Sequence, residues 1–163
     1  MFKPSSQMPA PSQVFSSPPM LLAFGLGSGL SPIMPGTVGT LAAVPLYLLL
    51  AQLPWQGYLL TLIVALALGN YLCGFAARKL NVHDHSGIVW DEFVGFWLTL
   101  FLVPLAFQWV VLGFLLFRFF DMVKPWPISL ADRKIAGGFG IMLDDILAGA
   151  AAWICLQIII LLW

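Results

Sequence analysis

The acidic residues of this chain are gathered in one stretch of an otherwise apolar sequence. Thirteen of the fourteen charged residues lie between Arg78 and Asp145, and all seven acids lie between Asp84 and Asp145. A charged side chain at the centre of a bilayer costs roughly 2.5–3.5 kcal/mol even on lenient scales. The acids must therefore lie at a membrane edge, pair with cations or line a wet cavity, and such a cluster indicates a functional site.

Two adjacent acids, Asp91 and Glu92, stand near the start of an apolar segment that begins at Ile88. A helix N-terminus stabilises an anion by about 0.3–1 kcal/mol, which explains one carboxylate there but not two. Successive side chains point about 100° apart on a helix, so one acid can point into a site while the other supports the first from beside it. We therefore interpret the pair as functional.

A second group of charges closes another apolar segment. Asp121 and Lys124 are three residues apart, and Arg118 lies one turn earlier, so the three charges are expected to share one helix face. A simple ion pair between Asp121 and Lys124 would explain two of them. Two cations around one acid would also suit a metal-bound phosphate, and the spacing leaves both interpretations open.

Small residues form two further candidate sites. Gly137-Gly-Phe-Gly140 precedes Asp144-Asp145, and a glycine-rich turn before a helix can present backbone N–H groups to phosphate, although capping by Asp is the plainer alternative. The stretch 25–40 offers glycines and hydroxyl groups, but tight helix packing explains it about as well. The motif His83-Asp84-His85 has the spacing of a soft-metal site, and a solvated pair of loop histidines is equally expected.

Several acids close together repel one another and any anionic substrate, and a divalent cation resolves both problems. Oxygen ligands favour Mg²⁺ or Mn²⁺. Such an ion could hold phosphoryl oxygens and activate water, with Arg118, Lys124 and Arg133 complementing the phosphate charge. The sequence contains no Cys-x5-Arg and no Asp-x-Asp-x-Thr motif, and it lacks the histidine-nucleophile pattern of lipid phosphatases. These absences exclude the corresponding phosphatase mechanisms.

The composition predicts an all-α membrane protein. The chain is 61% hydrophobic and 9% charged, whereas an ordinary soluble domain is about 25% charged. We expect a disordered Pro/Ser-rich leader over residues 1–19 and one polytopic catalytic domain over residues 20–163. The net charge of zero gives no electrostatic footprint for nucleic acid.

About five short transmembrane helices are predicted from the apolar runs: Val38–Leu53, Gly57–Ala77, Ile88–Val103, Ala106–Phe120 and Ile141–Trp163. Three of them have only 15–16 residues, which is short for a hydrocarbon core of about 30 Å. The stretch Met20–Leu30 is too short to span, and we expect it to be re-entrant or interfacial.

The basic residues predict the orientation of these helices. With a cytoplasmic N-terminus, all seven Lys and Arg residues fall at cytoplasmic ends, while the opposite hairpins, 51–56 and 104–107, carry no charge. The acids then lie at the cytoplasmic leaflet. A four-span arrangement in which Val38–Leu53 does not cross stays open, but it would place Arg78 and Lys79 outside.

Four sequence blocks, in order, resemble the bacterial phosphatidylglycerophosphatase A family: Gly27–Thr40, His83–Phe93, Phe117–Ile128 and Gly137–Gly149. The resemblance covers about Met20 to Gly149. It implies a Mg²⁺-dependent phosphatase of the bacterial inner membrane that converts phosphatidylglycerophosphate to phosphatidylglycerol and phosphate, with a lipid phosphate as its partner. It leaves the oligomeric state open.

On this interpretation, the predicted catalytic and metal-binding residues are Asp91, Glu92, Asp121 and Asp145, with Asp84 and Asp144 as further metal ligands. The predicted phosphate-binding residues are Lys124, Arg118, Thr37, Gly36 and Gly138. The nucleophile is water or an aspartate. The alternative is a small ion-coupled transporter that uses the same carboxylates. Their placement on one side argues against it, because a transport path needs polar groups at mid-depth.

Overall fold

Helices form all the regular structure in residues 8–82, 85–126, 128 and 137–163, which are the residues described by the computed structural model. In this part of the chain there is no strand, so the all-α prediction is confirmed. In chain order the helices are α1 (Pro11–Phe15), α2 (Pro18–Ala23), a 3-10 segment (Gly25–Leu30), α3 (Pro35–Leu50), α4 (Trp55–Leu80), α5 (Trp90–Thr99), α6 (Phe107–Val123) and α7 (Gly138–Leu162).

Local chemistry determines where several helices begin and end. Pro35 occupies the first turn of α3, where a missing N–H costs nothing. Asn81 takes a left-handed conformation with φ 55° and ends α4, and Lys124 does the same for α6 with φ 44°. The predicted breaks at Pro54 and at Lys124-Pro125 are therefore helix boundaries.

The third predicted span, Ile88–Val103, needs a correction. Its helix, α5, has only the 10 residues Trp90–Thr99, so it is about 15 Å long. The apolar run continues beyond Thr99, but Leu102 adopts a φ of 59°, and Pro104 disfavours the helical conformation in the residue before it. The chain therefore leaves the helix before the apolar run ends.

The membrane-crossing prediction is supported in part. Two helices, α4 with 26 residues and α7 with 25, are long and apolar enough to cross a bilayer by length and composition. This is fewer than the five spans predicted. The shorter helices α3, α5 and α6 have 16, 10 and 17 residues, so their lengths do not by themselves establish a crossing.

Helix α5 is the central element, and most of its residues are buried against α3, α4, α6 and α7. Its contact with α7 is made by main chain: a Cβ added at Gly149 would lie 3.2 Å from Gly95 Cα, and one at Gly95 would lie 2.7 Å from Asp145 O. Thr99 Oγ1 donates to Gly95 O at 3.0 Å and lies 3.3 Å from Gly149 O. Asp91 and Glu92 in the first turn of α5 and Asp144 and Asp145 in the second turn of α7 are thus carried on two closely packed helices.

Two indole groups fix α5 against its other neighbours. Trp90 Nε1 donates to Ala65 O of α4 at 3.0 Å, and Trp97 Nε1 donates to Ala43 O of α3 at 3.1 Å. Both tryptophans are buried, so each indole N–H finds the partner that burial requires. These bonds set the rotation of α5 and hence the direction in which its acids point.

Part of the segment expected to be a disordered leader is helical. Val14 in α1 and Met20 in α2 are fully buried, and Val89 N donates to Ala23 O at 2.9 Å. The segment therefore packs against the chain immediately before α5. Residues 1–7 lie outside the described residues, and the membrane position of 20–30 stays a prediction.

Candidate active site

A cavity of about 320 Å³ lies where α3, α5 and α7 begin and α6 ends. Its polar lining combines carboxylates, cations and hydroxyl groups from these helices and from the turn before α5: Thr37, Ser86, Asp91, Glu92, Arg118, Asp121, Lys124, Asp144 and Asp145. At the far ends of α6 and α7, Trp163 packs edge-on against Trp109 with ring centroids 6.1 Å apart. The acids and the C-terminus thus lie at opposite ends of the helices.

Arg118 joins three helices across this cavity. Its Nη1 lies 2.7 Å from Asp121 Oδ2 in α6 and 3.5 Å from Glu92 Oε1 in α5. It also lies 3.5 Å from Thr40 Oγ1 in α3. The side chain is 13% exposed, and its buried Nε has no hydrogen-bond partner among the described residues. The guanidinium is therefore held in place and keeps a donor direction for an additional acceptor.

The start of α3 approaches the Glu92–Arg118 pair so closely that a side chain at position 36 would displace these two groups. A Cβ added at Gly36 would lie 3.0 Å from Glu92 Cδ and 3.1 Å from Arg118 Nη2. The neighbouring Thr37 Oγ1 is buried without a hydrogen-bond partner in the part of the chain described. Met34, just before the helix, has a φ of 48°, a costly conformation of the kind that concentrates at functional sites.

Lys124 does not continue the charged row predicted from sequence. Because it takes a left-handed φ of 44° after α6, its side chain leaves the helix face that carries Asp121. Lys124 Nζ forms an ion pair with Asp144 Oδ2 of α7 at 2.5 Å, while Asp121 pairs with Arg118. The two cations therefore pair with different acids. Arg118 connects α6 to α5 and α3, and Lys124 connects the end of α6 to α7.

The remaining acids are the most deeply buried. Asp91 is 7% exposed and Asp145 is 3% exposed. The Asp145 carboxylate is repelled by Asp121, Asp91 and Glu92. Five acids and two basic residues line the cavity, so the lining carries an excess of negative charge. Buried charges of one sign are unfavourable unless a counter-charge compensates them.

A divalent cation fits the chemistry of this lining. Among the described residues, no three His, Cys, Asp or Glu side chains stand in a ready metal-holding group. Mg²⁺, however, keeps several waters and is usually bound through one or two carboxylates together with substrate phosphates. The excess of carboxylate oxygens around one cavity meets that requirement, so the donor set is compatible with Mg²⁺.

The structure brings most of the predicted site residues together: Gly36, Thr37, Asp91, Glu92, Arg118, Asp121, Lys124, Asp144 and Asp145 all line the cavity. It does not bring Gly138 there. A Cβ at Gly138 would lie 2.8 Å from Gly74 N in α4, so this glycine permits close helix packing. Asp84 and His83 lie outside the described residues, as does Arg133.

His85, the described member of the predicted histidine pair, is 4% exposed. Its Nδ1 accepts a hydrogen bond from Gly87 N at 3.0 Å, and its ring lies 5.9 Å from that of Phe24. These contacts shape the turn that precedes α5. Ser86 also lines the cavity but is not among the residues predicted from sequence. Its position in the block His83–Phe93, just before the paired acids, is the sequence feature that points to it.

Comparison with known proteins identifies the family of this chain. The family model for phosphatidylglycerophosphatase A matches residues 21–160. Phosphatidylglycerophosphatase A of Escherichia coli K12 is 55% identical over 135 residues, which cover 82% of this chain and 78% of that protein. The protein of the same name from Haemophilus influenzae is 47% identical over 138 residues, covering 83% of this chain and 85% of that protein. No solved structure matches the chain. The chain therefore belongs to the phosphatidylglycerophosphatase A family and is a phosphatase.

Proposed function

We propose that this protein is a Mg²⁺-dependent lipid phosphomonoesterase that hydrolyses phosphatidylglycerophosphate to phosphatidylglycerol and phosphate during phospholipid biosynthesis. The observation that carries the proposal is the convergence of Asp91, Glu92, Asp121 and Asp145 with Arg118 and Lys124 around one cavity. The names of the relatives from E. coli and H. influenzae support the same substrate.

The phosphate group of the substrate would be held by the cations and by the start of α3. Arg118 Nε and Thr37 Oγ1 are both buried without a hydrogen-bond partner among the described residues. Both side chains line the cavity and can turn a donor toward a phosphoryl oxygen. Lys124 lines the same cavity and contributes a point charge. Charge-assisted hydrogen bonds of this kind are the strong ones, about twice as strong as neutral bonds.

Asp91, Glu92, Asp121 and Asp145 would hold Mg²⁺, with Asp144 as a further ligand. When bound, the ion supplies Lewis-acid stabilisation of charge on the phosphoryl oxygens. The chain itself orients the carboxylates through the α5–α7 contact and keeps Arg118 fixed between Glu92 and Asp121. Asp84 is proposed as a ligand from sequence alone.

We place the protein in the bacterial inner membrane with its cavity at the cytoplasmic leaflet. The two long apolar helices support membrane insertion. Five crossings with a cytoplasmic N-terminus would place every Lys and Arg on the cytoplasmic side, in agreement with the distribution of basic residues in membrane proteins. The lipid phosphate would then reach the cavity from the leaflet in which it lies.

Phosphate release by the purified protein tests this proposal. Wild-type protein should release phosphate from phosphatidylglycerophosphate with Mg²⁺ and should stop when EDTA removes the ion. Asp91→Asn, Asp121→Asn and Asp145→Asn should each lose roughly 100-fold or more in kcat, as expected when groups that stabilise transition-state charge are removed. Gln52→Ala, at an exposed polar side chain after α3 that does not line the cavity, is the control and should remain active.

The outcomes separate the parts of the proposal. Near-wild-type turnover in two of the three site variants would refute the assignment of the acids, and full activity in EDTA would refute the metal requirement. If no lipid phosphate is hydrolysed and the protein instead carries cations across liposome membranes, the transporter alternative replaces the phosphatase.

A further inference from the structure

An apolar groove of about 450 Å³ lies between α3 and α6, outside the polar cavity. Besides Leu105, Ala106 and Val110, its lining consists of three residues on each helix: Leu41, Val44 and Leu48 of α3, and Phe107, Val111 and Phe114 of α6. On each helix these positions are spaced by three or four residues, so each set forms one stripe along a helix face. Leu41 and Phe107 are 60% and 84% exposed, so the groove is open at its surface.

Both stripes continue polar residues of the active site. Thr37 lies one helical turn before Leu41, and Arg118 lies one turn after Phe114, on the same faces. Thr37 and Arg118 both line the acidic cavity, and Arg118 Nη1 lies 3.5 Å from Thr40 Oγ1 where α3 meets α6 between the two spaces. The groove therefore lies along the two helices that carry Thr37 and Arg118 and begins one helical turn from each of them.

We infer that this groove binds an acyl chain of the lipid phosphate while its headgroup occupies the cavity. The inference rests on the proposed function and names the feature that selects a lipid over a soluble phosphomonoester. From Thr37 to Leu48 the α3 stripe is about 16 Å long, at 1.5 Å per residue. That length is about half of the 30 Å hydrocarbon core, and the groove ends at Leu105 and Ala106 in the connection between α5 and α6.

A second apolar groove continues from the acids of α5 and α7 and not from Thr37 and Arg118. It lies among Leu59, Ile63 and Leu66 of α4, Val94 and Leu98 of α5, and Ile146 of α7, with a volume of about 240 Å³. Its longest wall is α4, which contributes no residue to the acidic cavity. A chain lying there would not follow the two helices that hold the phosphate, so this groove provides the matched control.

The test compares two chain lengths of one substrate, dioleoyl and dihexanoyl phosphatidylglycerophosphate. Val44→Trp and Val111→Trp place an indole in the groove about 10 Å from the polar residues, beyond the reach of the short chains. Each variant should lower kcat/KM for the dioleoyl lipid about tenfold or more, which corresponds to roughly two CH₂ groups no longer buried. Both should hydrolyse the dihexanoyl lipid within about twofold of wild type, which also shows that they are folded. Ile63→Trp, in the second groove, should leave both substrates unchanged.

Three results would overturn the inference. The first is unchanged kcat/KM for the dioleoyl lipid in both groove variants while the wild type hydrolyses both lipids; the proposed function then stands without this inference. The second is an equal loss for both chain lengths, because dependence on chain length is the claim. The third is a wild type that hydrolyses neither lipid, in which case the proposed function fails as well.

A photoreactive group at mid-chain of the long lipid provides a second test. It should label α3 or α6 of the wild type, and labelling confined to α4 would count against the groove.

Discussion

Lys124 forms its ion pair with Asp144 of α7, whereas Asp121, three residues before it in α6, pairs with Arg118. The left-handed backbone at Lys124 produces this arrangement because it turns the side chain away from the α6 face. The end of α6 is thereby connected to the start of α7, and each of the two cations stands beside a different part of the acidic cavity.

A phosphate contact by Lys124 predicts a specific kinetic defect. Lys124→Gln should lower kcat/KM by roughly 10–150-fold, the equivalent of losing a charge-assisted contact of about 1.5–3 kcal/mol. The Mg²⁺ concentration for half activity should stay nearly constant, because no ligand is removed. The exchange Lys124→Asp with Asp144→Lys restores the ion pair and should recover stability without recovering activity. A large shift in the Mg²⁺ requirement with unchanged saturated kcat would contradict the phosphate role.

The close approach at Gly36 predicts sensitivity to a single methyl group. Gly36→Ala would place a Cβ 3.0 Å from Glu92 Cδ, so Glu92 and Arg118 must shift. Activity should fall roughly 10–100-fold, since small displacements of positioning groups are costly. Gly57→Ala is the control, because its Cβ would meet Leu53 Cβ at an ordinary 3.5 Å. Equal turnover in the two variants would show that the contact does not position the site.

The repulsion around Asp145 predicts that activity and stability oppose each other. Asp145→Asn replaces an acid whose ionised form is disfavoured by burial and by repulsion from Asp121, Asp91 and Glu92 with a neutral amide. In EDTA this variant should unfold at a higher temperature than wild type, by about 2–4 °C for each 1 kcal/mol gained. Mg²⁺ should stabilise the variant less than the wild type.

Asp144→Asn provides the comparison for this experiment. It breaks the ion pair with Lys124, so it should lower the unfolding temperature in EDTA instead of raising it. The same thermal unfolding measurement in detergent serves both variants. An Asp145→Asn protein less stable than wild type without divalent cations would show that the repulsion is already compensated within the chain.

The proposed orientation predicts the compartment of each connection. A reporter inserted after Gly87 or Gly137 should be cytoplasmic, and one placed after Pro54 or at the C-terminus should be periplasmic. The contact between Trp163 and Trp109 supports the C-terminal assignment, since both lie at the end away from the acids. A cytoplasmic C-terminus would refute five crossings and would favour the four-span arrangement.

The sequence predicted the main helices and the gathering of acids because both depend on simple patterns. Apolar runs broken by Pro54 and Pro104 mark the principal helices, and alternating helix directions bring Asp91, Asp121 and Asp145 to one end. The helix bounds agree to within a few residues except for α5. Its early end depends on the φ of Leu102, a conformation that the apolar run does not reveal.

Other features depend on three-dimensional contacts that spacing cannot reveal. From the sequence alone, a glycine at a helix start that contacts phosphate cannot be distinguished from one that contacts another helix. Gly138 is of the second kind, because it packs against Gly74 of α4. The partner of Lys124 follows from one backbone angle beyond the last turn of α6. Val14 is buried in the core, which shows that a Pro/Ser-rich segment can be ordered when one of its apolar side chains packs there.

The main-chain contact of Gly95 with α7 has a consequence for the choice of ion. A Cβ at Gly95 would lie 2.7 Å from Asp145 O, so no side chain separates the backbone that carries Asp91 from the backbone that carries Asp145. If these acids hold a metal as proposed, the distance between Asp91 and Asp145 cannot increase unless α5 and α7 separate. Mg²⁺ prefers ligand distances near 2.1 Å and Ca²⁺ prefers about 2.3–2.6 Å. A frame of this stiffness would discriminate against Ca²⁺ by size, although carboxylate oxygens alone would accept either ion.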